Sequence, residues 1–119
     1  MPVMVTGGIR RRPVVEQVLG TGVDMVGMAT ALAIDPFLPR DWRLGKDNAP
    51  ELAPITWKNK PLAATAHMAA VKYQLARLSH RRRTVPAISP LWALIVSQID
   101  AKRRSRRYRH WIDSRHAAA

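Results

Sequence analysis

The sequence predicts an α/β fold, on three observations. Residues 2–6 and 23–28 are short apolar runs, rich in Val and Met. Between them Val14, Val15, Val18 and Leu19 recur at helical spacing. Each apolar run ends in small residues, Gly7-Gly8 after the first and Ala29-Thr30-Ala31 after the second, which reads as a turn in both cases. Two strands joined by one helix lie parallel, with a right-handed crossover. Parallel strands are covered on both faces, which accounts for runs that are apolar throughout instead of alternating. Such a pair cannot cover itself, so the unit is expected to need further structure around it.

The remaining elements follow in chain order. Pro13 suits a helix start, where its missing N–H has no partner to lose, and Gly20 or Gly22 can end that helix in a left-handed turn. From Asp35 to Pro61 the chain is punctuated by Pro36, Pro39, Pro50, Pro54 and Pro61, with Trp42 and Trp57 among polar residues. A short helical turn is expected near Phe37–Leu44, then an extended connection. Residues 62–79 predict an Ala-rich helix with Leu62, Ala66, Ala69, Ala70, Tyr73 and Ala76 on its packed face. Arg81-Arg82-Arg83 and Pro86 stop it. Ser89 fits an N-cap with Pro90 at the first helical position. The last helix starts apolar (Leu91, Trp92, Leu94, Ile95, Ile99) and becomes strongly basic through Trp111. These elements divide the chain into 2–45, an irregular connection 46–61, and a helical extension 62–119 with a basic tail.

Composition narrows the function. The chain has 119 residues, 47% of them apolar, a scale suited to one small domain. It contains no cysteine, which excludes a disulfide framework, thiolate zinc sites and a Cys nucleophile. No signal-peptide pattern opens it and no apolar run approaches the ~18 residues of a membrane span, so a cytoplasmic, membrane-free protein is expected. The formal charge is +12. Half of the 20 Lys and Arg lie between 81 and 115, against only Asp100 and Asp113 there, a balance that attracts polyanions or acidic surfaces.

The chemistry is expected at the two strand ends. Neighbouring parallel strands present their C-terminal ends on one edge, so Gly7-Gly8 and Ala29-Thr30 fall side by side. Free backbone N–H groups there, close to a helix start, suit an anion. Against this stands the plain reading in which Gly7-Gly8 only makes a tight turn. The histidines at 67, 80, 110 and 116 lack metal-ligand spacing and read as surface or packing residues. Ser89 and Ser97 have no His and acid near them in sequence, which argues against a hydrolase triad. No metal site and no catalytic residue is assigned.

Two stretches, "PVMVTGGIR" (2–10) and "VVEQVLGTGVDMVGMATALAIDPFLPRDW" (14–42), resemble the last two β/α units of the NADH:flavin oxidoreductase family, to which Old Yellow Enzyme belongs. Gly22, Asp24, Val26, Met28, Ala29, Asp35, Pro36, Leu38 and Pro39 match the family pattern at the right spacing. "KPLAATAHMAAVKYQLARLS" (60–79) and "RRSRRYRHW" (103–111) look like the C-terminal tail of one subgroup. The resemblance implies a partial (β/α)8 TIM barrel over 2–45, comprising strands seven and eight with their helices, and C-terminal helices wrapped outside. It implies FMN as cofactor, held through Gly7, Gly8, Ala29 and Thr30, and NAD(P)H as hydride donor. The family usually has Arg where Thr30 stands, so one charged phosphate contact is missing. The family's catalytic groups lie upstream of the matched region. The resemblance therefore implies a C-terminal fragment, inactive alone, whose partner would be the missing N-terminal barrel portion.

The alternative is a small basic nucleic-acid-binding protein, with Tyr108 and Trp111 interleaved among arginines for stacking. A solvated helix end whose Arg stems lie over apolar surface explains the same charge, and the tail's place in the family pattern favours that explanation.

Overall fold

A computed structural model describes residues 1–116. Met4–Thr6 (β1) leads through a Gly7-Gly8 turn into the helix Arg12–Gly20 (α1), and Met25–Gly27 (β2) returns beside it. The strands are parallel, in register Met4↔Met25, Val5↔Val26 and Thr6↔Gly27. Asp24 fixes the start of the pair. Its carboxylate accepts from the Val3 N–H at 2.7 Å, while the Asp24 and Met25 N–H groups both donate to the Val3 carbonyl. Gly22, at φ 91°, supplies the left-handed turn that brings the chain out of α1.

After β2 come two short helices, Thr30–Ile34 (α2) and Leu38–Arg43 (α3). Asp35 joins them: its carboxylate accepts from the Phe37 N–H and from Asn48 Nδ2, both at 3.0 Å. The local core is Ala31, Leu38 and Trp42, with Val15, Met28 and Leu32 packed against it. The Trp42 indole is buried with its polar edge satisfied, donating to the Asn48 carbonyl at 2.8 Å. Arg12 donates to the Trp42 carbonyl at 3.2 Å and so ties α1 to α3.

An extended stretch leads to a 20-residue helix, Lys60–Ser79 (α4), and the chain ends its described part in a 27-residue helix, Pro90–His116 (α5). The chain divides into two compact units, one of 1–54 with 74–87 and another of 55–73 with 88 onward. In the second, Ala63, Ala66, Ala69, Ala70 and Ala93 are buried, small residues that allow close packing.

The expected partial (β/α)8 TIM barrel is not what the chain builds. Among the described residues the sheet has two strands of three residues each, and helices dominate, so the molecule is a small helical protein with one parallel strand pair. The physical reason lies in the strands themselves: at three residues each they are too short to form a barrel wall, and the rest of the described chain is helix or irregular connection. Nor are the strands covered on both faces: Met4 and Met25, partners in register, are 57% and 58% exposed.

The packed face of α4 also differs from expectation. Of the expected face Ala66, Ala69 and Ala70 are buried and Tyr73 is half-buried, with Ala63 and Gln74 buried besides, whereas Leu62 and Ala76 are exposed.

Candidate functional site

The site is built from two strand-to-helix turns. At the first, Gly7 has φ 127° and Gly8 φ 64°. A Cβ at either would meet nothing within 4 Å, so glycine is required there by backbone angle and not by crowding. At the second, Gly27 lies close against β1: an added Cβ would sit 3.0 Å from both Cβ and Oγ1 of Thr6. The Thr6 hydroxyl donates to the Gly27 carbonyl at 3.1 Å. Because Thr6 and Gly27 are partners in a parallel register, the residues that follow them, Gly7-Gly8 and Met28-Ala29-Thr30, leave from the same edge of the sheet.

Both helices that start there are uncapped. Arg11 before α1 is extended and Ala29 before α2 lies near the helical region, and neither gives a side-chain hydrogen bond to the first turn. The opening N–H groups of a helix have no partner inside it. Two uncapped starts beside a glycine turn form a concentration of N–H dipoles that suits a phosphate or carboxylate. With five residues α2 adds little dipole, and Thr30 contributes its N–H and a hydroxyl on an exposed position.

The arginines beside the turn are engaged elsewhere. Arg10 and Arg11 each reach Glu51 at 3.5 Å, and Arg12 pairs with Glu16 at 2.7 Å. All are solvent-exposed pairs, worth at most about 1 kcal/mol, so a stronger anion can displace them. Gly7, Gly8, Ala29 and Thr30 are thus brought to one edge. Asp24 and Asp35, also singled out in the sequence, hold backbone and side-chain N–H groups and serve the fold.

The histidines at 67, 80, 110 and 116 are all exposed. Among the described residues no group of three His, Cys, Asp or Glu could hold a metal ion, and no helix is long and apolar enough to cross a membrane.

Two other features carry charge. Along α5 every residue from 101 to 110 is exposed. Tyr108 and Trp111 stack with ring centroids 5.9 Å apart, and the Arg115 guanidinium lies 4.6 Å from the Trp111 ring centre. With Arg104 they form one stripe at helical spacing. The sequence reading missed the second feature, a cleft of about 970 Å³ in the first unit, formed by segments 34–37, 48–51 and 78–86. Its only sequence signal was Arg81-Arg82-Arg83, read there as a helix stop.

No protein-family model, curated protein or solved structure matches the chain.

Proposed function

We propose that the edge formed by Gly7, Gly8, Ala29 and Thr30 holds the phosphate of flavin mononucleotide, as part of a flavin-dependent NAD(P)H oxidoreductase related to the Old Yellow Enzyme family. One observation carries the reading: the parallel register Thr6↔Gly27, which sends two uncapped helix starts from the same edge. The sequence resemblance over 2–42 supplies the identity of the phosphate's owner. In this role the chain grips the phosphate through backbone N–H groups, the Thr30 hydroxyl and displaceable arginines. FMN, when bound, carries the hydride between NAD(P)H and an acceptor, and the groups that act on that transfer belong to a partner segment.

Flavin fluorescence tests the phosphate grip directly. FMN is expected to bind at least ~10-fold tighter than riboflavin, since charge-assisted bonds to the phosphate are worth roughly 1.5–3 kcal/mol. Equal affinity for the two flavins, or turnover of NADPH by the chain alone, rejects the reading.

A second reading rests on the exposed α5 stripe. Stacked aromatics among arginines suit a single-stranded nucleic acid, whose bases stack and whose phosphates pair with guanidinium. This stripe and the strand edge belong to different units, so each reading has its own test.

A further inference from the structure

The end of α4 is closed by a paired backbone motif. Arg82 N–H donates to the Arg77 carbonyl and Arg81 N–H to the Leu78 carbonyl, both at 2.9 Å. This pairing requires a left-handed residue just past the helix, a place glycine usually fills because a Cβ is disfavoured at positive φ. Here the residue is Arg81, at φ 55°, the only non-glycine residue with positive φ among the described residues. Backbone preference alone would select glycine. The arginine side chain is carried at this position against that preference, and strained non-glycine residues of this kind concentrate at ligand sites.

The loop that follows is rigidly anchored. Gln74 is fully buried, and its amide pairs with both polar groups of the Val85 backbone: Nε2 donates to the carbonyl and Oε1 accepts from the N–H, each at 2.8 Å. Arg77 Nε donates to the Arg83 carbonyl at 2.6 Å. The backbone bearing Arg81, Arg82 and Arg83 is therefore set before any ligand arrives, which lowers the ordering cost of binding.

These three arginines line the 970 Å³ cleft together with apolar Pro36, Phe37, Leu78 and Pro86. The volume is at the upper end of the usual range for a site taking a small organic molecule. Its two carboxylates already have partners: Asp35 accepts from Phe37 N–H and Asn48 Nδ2, and Glu51 pairs with Arg10 and Arg11. Among the described residues, none of Arg81, Arg82 and Arg83 makes an ion pair. Asn48 Oδ1, in the wall of the same cleft, is buried without a donor. An apolar floor and three guanidinium groups without an ion-pair partner describe one kind of guest.

We propose that this cleft binds a small organic anion with a flat apolar body, the body resting on Phe37 and the prolines and the acidic group meeting Arg81 and its two neighbours. The proposal does not rest on the reading given to the edge of β1 and β2, although Glu51 in the cleft wall pairs with Arg10 and Arg11 of the turn beside that edge.

Calorimetric titration of the full chain with 2-naphthyl phosphate tests the proposal, with 2-naphthol as body without charge and inorganic phosphate as charge without body. The ester is expected to bind at least ~10-fold tighter than either, because both halves of the cleft must be used. Arg81→Gly removes the guanidinium and relieves the backbone, so it should raise the melting temperature while weakening the ester about five-fold. Arg82→Gln, at an ordinary backbone position, should weaken the ester as well, and Lys72→Gln, an equal loss of charge on exposed α4 surface, should not. Arg81→Gly binding the ester as tightly as the unaltered chain overturns the proposal. So does an ester no tighter than naphthol or phosphate, or a loss in Lys72→Gln as large as that in Arg82→Gln.

Discussion

Thr6 and Gly27 meet across the two strands with the hydroxyl of one on the carbonyl of the other at 3.1 Å, so close that a methyl group on Gly27 would press on Thr6. Gly27→Ala would place its Cβ 3.0 Å from a threonine whose branched Cβ is backbone-linked and cannot swing away. A loss of about 1–3 kcal/mol is expected, the usual range for overpacking, measured by urea denaturation. The same variant should loosen the strand pair and weaken any anion held at its edge. Unchanged stability would mean that the strands do not approach as closely as described.

Three further glycines separate backbone from packing effects. Gly8 has a left-handed φ and open surroundings, so Gly8→Ala should cost about 1 kcal/mol through backbone strain alone. Gly20 also has open surroundings but lies within α1 with no positive φ, so Gly20→Ala should stabilise by roughly 0.5–1 kcal/mol. Gly22, at φ 91°, should behave like Gly8. Opposite shifts in melting temperature for positions 8 and 20 are the expected result.

Gln74 predicts the largest single loss. Replacing it with Leu keeps much of the volume but strips partners from both the N–H and the carbonyl of Val85. Each buried polar group left unpaired costs roughly 1–3 kcal/mol, less where water can reach it. Hydrogen exchange at the Val85 amide should accelerate in this variant. Exchange there that matches the unaltered chain would show that the clamp does not hold the loop.

The basic half of α5 predicts salt dependence. If single-stranded nucleic acid binds there, the logarithm of affinity falls linearly with the logarithm of salt, by ~0.7 for each phosphate neutralised. Changing Arg103, Arg104, Arg106 and Arg107 together to Gln should lower that slope by up to ~3 and weaken binding at all sequences alike. Tyr108→Ala should weaken binding with little change in slope, because stacking releases no counterions.

The β1–α1–β2 unit was legible because its signals are local: two apolar runs, a helical repeat between them, and glycines where the backbone turns left-handed at 7, 8 and 22. The helix α2 was not, since Ala29-Thr30-Ala31 reads equally as a turn and its burial depends on Leu38 and Trp42 further along. Trp42 fell within the helical turn expected near Phe37–Leu44, but its polar neighbours did not mark it as core, which it becomes through Ala31 and the residues packed around it. The barrel setting of the strand pair was misjudged for a different reason. Resemblance supplied a larger architecture, whereas the two strands are three residues long and leave Met4 and Met25 more than half exposed. Likewise the three arginines at 81–83 marked a helix end correctly, yet nothing local showed that Arg81 would stand where glycine usually does or that Gln74 would pin the loop behind it.

The methionines show a chemical consequence of the open strand pair. Met4 and Met25 lie opposite each other and are more than half exposed, while Met28 is packed against the Trp42 cluster. Peroxide should therefore convert Met4 and Met25 to sulfoxides well before Met28, and with little loss of fold. Two adjacent sulfoxides would turn the apolar surface of the strands into a polar one, changing the character of that face under oxidative stress while the Trp42 cluster stays as it is.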